Sequence, residues 1–305
     1  MGFDRTEGMA AYAAPSLFQP HRARQAIRDA HEKKIPPLLG YYLGLLSPPV
    51  VRLLAPMKFD AVWIDWEHSA GGIETITTLI HDSIFMSEGR TIPFVRVPSH
   101  EHTPITYALD AGASIIVPRV ETAEEAKKIM AATKYGLKSG GVRSAPPFRL
   151  IPGLTDIPYD KSRSIYECLN DQAAVCIQIE SVNGIDNLDE ILTECPDIDF
   201  VWLGQLDCRV SMGLPGGFGV ASEPEWLAAK EKFMSIMKKH DKPYGGFAFA
   251  NPAIGGLAQV AASKENMSFM IVTSDITALT GLAQELKDCR EVCVVVGMRE
   301  SCNSG

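Results

Sequence analysis

The chain has 305 residues, a formal net charge of −8, 46% hydrophobic and 22% charged residues, which suits one large α/β domain or two ordinary soluble domains. No basic run tracks a phosphate backbone and no apolar stretch reaches the roughly 18 residues of a membrane span, which argues against nucleic-acid and membrane partners. Residues 1–20 lack the pattern of a secretory signal, and the seven cysteines contain no C-x-x-C pair, so free thiols in a reducing, cytoplasmic setting are expected.

Residues 1–34 read as an irregular arm followed by a first helix. From residue 35 onward, strand-like and helix-like segments alternate. Short apolar runs rich in Val, Ile and aromatics predict strands over 37–45, 61–66, 91–97, 114–120, 173–180, 199–207, 243–250 and 268–274. Amphipathic stretches between them predict helices over 72–86, 122–134, 181–192, 224–240 and 276–290. Thr122 and Glu125 form a capping box, and Thr103-Pro104 opens the preceding helix with Pro at its first position. Eight β–α units without hairpin signals predict a single-domain (β/α)8 TIM barrel over 35–290, with a tail at 291–305. An open doubly wound sheet is the alternative, although it usually has fewer strands and a glycine fingerprint after the first. The stretch 138–160 carries too many Gly and Pro for a helix, and its Phe148, Leu150, Ile151 and Leu154 predict a packed functional loop. Val292–Val296 is a short apolar strip that needs cover, from its own subunit or from a neighbour.

Two strands each run into one carboxylate. Val175-Cys176-Ile177-Gln178-Ile179 leads to Glu180, and Phe200-Val201-Trp202-Leu203-Gly204-Gln205-Leu206 leads to Asp207. The carboxyl end of a barrel strand is where active sites are built, and an acid there must offset its desolvation. Two hard oxygen ligands suit Mg²⁺ or Mn²⁺, which keeps its other positions for water and substrate. The competing reading is that one or both acids cap the next helix.

Asp65, Glu67 and His68 crowd the end of the second strand. An imidazole held by a carboxylate serves as a general acid or base near neutral pH, whereas capping of the following loop is the plainer role. Arg96, alone in an apolar strand, needs an anion, either a substrate carboxylate or an internal acid. Arg119 is a weaker candidate, and Arg143 and Arg149 are expected in solvent. Gly204 lets backbone amides approach a ligand closely. Gly213-Leu-Pro-Gly-Gly-Phe-Gly219 is no Walker A sequence, and reads as a turn or lid. No lysine falls at an expected strand end, which argues against Schiff-base chemistry.

Asp65-Trp66-Glu67-His68, Val95-Arg96, Ala111-Gly112-Ala113, Gln178-Ile179-Glu180 and Gly204-Gln205-Leu206-Asp207 together resemble the ordered motifs of the HpcH/HpaI family of metal-dependent (class II) pyruvate aldolases. The resemblance covers about residues 35–290. It implies that Glu180 and Asp207 ligate Mg²⁺ or Mn²⁺, and that Arg96 grips a 2-oxo acid and stabilises its enolate. It further implies that amides near Gly204 and Leu206 hold the substrate carboxylate, and that His68, oriented by Asp65, serves the acid–base steps through a metal-bound water. Trp66 stands where the family usually has a small residue, and Gln205-Leu206-Asp207-Cys208 replaces the common Pro-Ala-Asp-Leu. Both changes alter the wall around the metal and make Trp66 a substrate-binding candidate.

The Asp-Trp-Glu-His version and the loop beginning Ser144-Ala-Pro-Pro look closer to the fungal, macrophomate synthase-like branch. The implied activity is a carbon–carbon lyase working through a metal-bound pyruvate enolate. It would decarboxylate oxaloacetate, add the enolate to an electrophile such as a 2-pyrone, or do both. A 4-hydroxy-2-oxo acid aldolase with an aldehyde acceptor, a non-catalytic oxo-acid-binding barrel and an acyl-CoA lyase are the alternatives. The last would need a basic CoA-phosphate site, and none is evident in the sequence. Family habit implies a homo-oligomer, a hexamer built from swapped C-terminal helices.

Overall fold

Near-continuous apolar runs leave no polar face for solvent, so strands of this kind are stable only when covered on both sides. The structure, a computed structural model that describes residues 8–146, 149–216 and 221–302, meets that demand with a closed parallel barrel. Its strands follow chain order: β1 (Leu38–Leu43), β2 (Ala61–Asp65), β3 (Ile92–Arg96), β4 (Ser114–Val117), β5 (Val175–Ile179), β6 (Phe200–Leu203), β7 (Tyr244–Phe247) and β8 (Phe269–Ser274). β8 pairs back onto β1. All eight expected strands are present, each trimmed at one or both ends.

The helices are α1 (Ala23–His31), α2 (Pro48–Leu54), α3 (Ile73–Met86), α4 (His102–Asp110), α5 (Ala123–Thr133) and α6 (Ile165–Leu169) in the first part of the chain. They continue as α7 (Val182–Glu194), α8 (Gln205–Ser211), α9 (Pro224–Lys239), α10 (Gly256–Ser263) and α11 (Asp275–Cys302). The capping box at α5 is formed as expected, with Glu125 N donating to Thr122 Oγ1 at 3.2 Å and Thr122 N donating to Glu125 Oε2 at 3.1 Å. α4 begins earlier than expected, with Glu101 as its N-cap and Pro104 as its third residue. The missing N–H of Pro104 costs no helical bond there, because the first turn has no acceptors for its amides. α11 runs past its expected end at residue 290 and carries the Val292–Val296 segment within one helix. Phe148, Gly217 to Gly219 and residues 303–305, which figure in the expectations for the long loop, the glycine run and the tail, lie outside the described residues.

Alternation along each strand splits the apolar runs into two layers. Val62, Ile64, Val95, Ile115, Ile177 and Val201 pack outward against the helices. Trp63, Phe94, Cys176, Phe200, Trp202 and Phe269 pack inward. The inner layer is aromatic: Trp63 and Trp202 meet edge to face at 4.7 Å, and Phe94 lies 5.0 Å from Phe269. Small neighbours make room for these rings. A Cβ on Gly40 would sit 2.6 Å from Phe269 Cε2 and 2.7 Å from Ile271 Cδ1, so β1 must carry glycine at that point.

Ala23, Ala26, Ile27 and Ala30 join this inner cluster, so α1 closes the amino end of the barrel and leaves the carboxyl end for chemistry. Arg24 anchors it, with Nε 2.6 Å from Asp199 Oδ1 at the start of β6. His21, just before α1, is buried and its Nε2 lies 2.7 Å from the Gly89 carbonyl. That acceptor fixes the proton on Nε2 and leaves Nδ1 buried without a partner. Burial pushes the imidazole down to about 4, against the upward pull of the carbonyl.

An unfolded histidine gains its proton near pH 6.5, so the folded state loses stability as pH falls from there to about 4, by roughly 3 kcal/mol. A His21→Gln variant keeps an N–H donor and should remove this slope. Urea unfolding between pH 7 and 4 should show a flatter stability profile for the variant, and parallel profiles would rule the effect out. The six cysteines with described side chains are free thiols. No helix among the described residues is long and apolar enough to cross a membrane.

Candidate active site

Glu180 follows β5 directly, and its side chain is 7% exposed on the residue scale. Its Oε2 accepts the backbone N–H of Arg119 at 3.0 Å. Arg119 adopts a left-handed conformation (φ 50°) while its guanidinium lies largely in solvent, so its main chain contributes to the site. Gly204 packs against the same carboxylate, and a Cβ there would stand 2.6 Å from Glu180 Cγ and 2.7 Å from Oε1. Because φ at Gly204 is −74°, alanine would be tolerated by the backbone but not by Glu180. Gly204→Ala should therefore dislodge the Glu180 carboxylate, with a stability loss of about 1–3 kcal/mol from overpacking and, on the divalent-cation reading proposed below, at least tenfold weaker Mn²⁺ affinity. Calorimetric titration with Mn²⁺ alongside thermal unfolding measures both, and unchanged affinity would show that the cradle is irrelevant.

Asp207 is not at a strand end. β6 stops at Leu203, Gly204 is the N-cap, and Asp207 is the third residue of α8. Glycine after four apolar residues ends the strand, and the chain turns into a helix across the barrel mouth. The amide of Gly204 is already used, donating to the Ile179 carbonyl at 2.9 Å. Those of Gln205, Leu206 and Asp207 belong to a first turn that offers them no helical acceptor.

Arg96, at the end of β3, does not stand free in the mouth. Its Nε donates to Asp65 Oδ1 at 2.8 Å and its Nη2 to Asp65 Oδ2 at 2.8 Å, a bidentate fork. This resolves the sequence alternatives toward an internal acid for that edge of the guanidinium, and leaves Nη1 outside the fork. Burial opposes the charge on Asp65, but the Arg96 bonds outweigh it and hold the carboxyl below its ordinary range.

The Asp65 carboxylate therefore does not orient the His68 imidazole as expected. Of His68 it meets only the backbone N–H, at 3.5 Å. The imidazole is 65% exposed, with Nε2 3.5 Å from Glu67 Oε2. Glu67 Oε2 also lies 3.2 Å from Arg96 Nε, without hydrogen-bond alignment. Trp66 turns its indole away to donate to the Gly71 carbonyl at 3.0 Å and packs on the outer core. It is absent from the cavity lining, which corrects its placement in the substrate wall.

The cavity at the carboxyl end of the barrel has a volume of about 350 Å³. Its lining brings together His68, Arg96, Glu180, Gly204, Leu206 and Asp207 of the expected residues, and adds Tyr42 and Gln178. Gln178 is 2% exposed and its Oε1 has no partner. The sequence signal for Gln178 was its place inside the Gln-Ile-Glu motif. The rest of the lining mixes apolar Phe247, Phe249, Ile254 and Ile276 with polar Gln259, Ser274 and Thr277. Arg209 also reaches the lining, but its Nη2 is held by Glu223 at 2.8 Å.

None of the described residues of 138–160 lines this cavity. Ile151 and Leu154 are exposed, whereas Arg143 is buried and Arg149 half-buried, not fully solvated as expected. Arg143 is buried and its Nη2 donates to Asp110 at 2.6 Å, while Arg149 Nη1 lies 2.9 Å from His81 Nε2.

Burial, followed by the charges of Asp207 and Glu67, pushes Glu180 up to about 7; Arg96 and the Arg119 amide pull the other way. A buried acid raised by two neighbouring acids is a site short of positive charge. Among the described residues, no three His, Cys, Asp or Glu side chains gather as a metal cage. Two carboxylates with an orphaned amide oxygen nearby are instead the sparse, hard-oxygen set that Mg²⁺ or Mn²⁺ accepts.

Fold and site together define a (β/α)8 barrel with an acidic, oxygen-rich centre beside a buried arginine, at the end where such barrels carry out catalysis. Residues 38–272 match the HpcH/HpaI aldolase/citrate lyase family, and the chain belongs to it. Members of this family are aldolases and lyases that act on small molecules. A 5-keto-4-deoxy-D-glucarate aldolase of Klebsiella pneumoniae is 28% identical over 270 residues, covering 88% of this chain and 96% of the relative. The crystal structure of macrophomate synthase superposes with a TM-score of 0.84 at 31% identity, covering 94% of this chain and 95% of that one. An HpcH/HpaI family protein of Burkholderia cenocepacia superposes with a TM-score of 0.71 at 25% identity, covering 88% and 98%.

Proposed function

We propose that the protein is a Mg²⁺- or Mn²⁺-dependent carbon–carbon lyase acting on 2-oxo acids, by oxaloacetate decarboxylation, aldol-type addition or both. The observation that carries this reading is the gathering of Glu180, Asp207 and Arg96 in one cavity, where burial and then the charge of Asp207 raise Glu180. Glu180 and Asp207 would hold the cation. Bound there, it would supply Lewis-acid polarisation of the keto oxygen of the substrate.

The chain's own groups do the rest. Arg96, fixed by Asp65, offers Nη1 to the oxygen on which enolate charge develops, a donor already in place before reaction. The unpaired amides of Gln205 and Leu206 suit the substrate carboxylate. In the decarboxylation, the C3–C4 bond breaks, its electron pair passes to the enolate and CO₂ leaves. In the retro-aldol direction, His68 takes the proton from the C4 hydroxyl oxygen as the same bond breaks, and returns it to C3. The exposure of its ring at the mouth suits exchange of that proton with water.

Beyond the acids, Phe247, Phe249, Ile254 and Ile276 offer apolar faces for a planar acceptor such as a 2-pyrone, while Gln259, Ser274 and Thr277 offer polar groups that a hydroxylated aldehyde could use. A 4-hydroxy-2-oxo acid aldolase remains the second reading, favoured by the resemblance to glucarate-derived aldolases. Product analysis after supplying oxaloacetate and Mg²⁺, with and without panels of 2-pyrones and aldehydes, separates them. A carbon–carbon adduct names the acceptor class, and pyruvate alone under every condition makes the protein a decarboxylase. A homo-oligomer is part of the proposal: Leu279, Leu282 and Leu286 form an exposed apolar seam on α11 that a second copy would cover.

A further inference from the structure

We propose that Tyr42, which belongs to none of the sequence motifs, is a positioning residue that holds Arg96 for the reaction; this rests on the oxo-acid reading above. Tyr41 and Tyr42 alternate across β1, so Tyr41 packs outward and Tyr42 faces the barrel interior. Its register partners are Trp63 on β2 and Ser274 on β8. The ring is wedged 5.8 Å from Trp63 and 6.0 Å from Phe247, which fixes where the hydroxyl can reach.

That hydroxyl donates to Asp65 Oδ2 at 2.5 Å and accepts from Arg96 Nη2 at 3.4 Å. Oδ2 therefore receives two donors, and Asp65 cannot rotate without breaking both. Asp65 in turn sets the plane of the guanidinium through the fork at Nε and Nη2. Arg96 has a competing acid close by, since Glu67 Oε2 lies 3.2 Å from the same Nε. A loosened Asp65 would let the guanidinium turn toward Glu67 and carry Nη1 away from the substrate. The Tyr42 hydroxyl tips this competition toward Asp65. It touches no reacting atom in this account and acts through Arg96.

Tyr42→Phe keeps the packed ring and removes only the hydroxyl. Loss of one charge-assisted hydrogen bond should lower kcat for oxaloacetate about 10- to 100-fold, with KM changed less than about twofold. Oxalate, a planar analogue of the enolate, should bind more weakly by a similar factor, whereas pyruvate should bind nearly as before. In an Arg96→Lys background, the same change should have no further effect on oxalate binding. The melting temperature of the metal-free protein should barely move.

Wild-type kcat and oxalate affinity in Tyr42→Phe would overturn the proposal and leave the oxo-acid reading standing. An additive loss in the Arg96→Lys background would overturn it too, because Tyr42 would then act elsewhere. A wild-type protein inert toward both oxaloacetate and oxalate would overturn the oxo-acid reading and this proposal with it.

Discussion

Glu180→Gln and Asp207→Asn are each expected to lower oxaloacetate decarboxylation by at least about a thousandfold, equivalent to ~4 kcal/mol of transition-state stabilisation. Each change keeps the size of the side chain and removes the charge that a divalent cation needs. For Glu180 the effect on stability should run the other way. Its carboxyl is raised to about 7 in the folded protein, against about 4.3 in an unfolded chain. The folded state therefore binds a proton that the unfolded state has lost, and metal-free stability falls as pH rises from about 4.5 through 7, by roughly 3 kcal/mol in total.

Glu180→Gln removes that loss while its amide oxygen can still accept from Arg119. At pH 8 without metal, the variant should be more stable than the wild type and inactive. Added Mg²⁺ should raise the melting temperature of the wild type only. A variant that is active, or destabilised at pH 8, would contradict the role assigned to this acid.

Arg96→Lys is the second large effect. An ammonium cannot reproduce the fork to both oxygens of Asp65, a side chain that is 1% exposed. The charge is kept, so the buried acid is only partly abandoned. Stability should fall by about 2–3 kcal/mol, less than the roughly 3–5 expected when a buried charge loses its partner outright. Activity should fall at least a hundredfold if, as proposed, Arg96 presents Nη1 to the enolate oxygen. Steady-state kinetics and urea unfolding report the two losses separately. Near-wild-type kcat in a folded Arg96→Lys protein would remove Arg96 from the chemistry.

Much of this was legible in the residues, for identifiable reasons. Two-sided burial writes a strand as an unbroken apolar run, so all eight strands of the barrel were found. Glu180 was singled out because a charge directly after such a run has to be explained, and it does follow β5 into the cavity.

The remainder depended on contacts that linear spacing does not encode. Gly204 ends β6 and puts Asp207 on a helix, yet Leu206 beyond it kept the apolar pattern alive. Trp66 looked like a wall residue from its place in the motif, but its N–H needed an acceptor and found the Gly71 carbonyl. Asp65 was paired with His68 on the family resemblance, while the strand register sets it beside Arg96. Tyr42 gave no signal, because its partner on the second strand lies 23 residues away. The arginines of the long loop looked solvated because the acid that buries Arg143 belongs to α4.

Pyruvate formation from oxaloacetate, followed against the rate with metal ion alone, tests the central claim most directly. Turnover well above that background is expected with Mg²⁺ or Mn²⁺, with its loss on adding EDTA and its return when metal is restored. Turnover no faster than the free metal ion, or unaffected by EDTA, would contradict it.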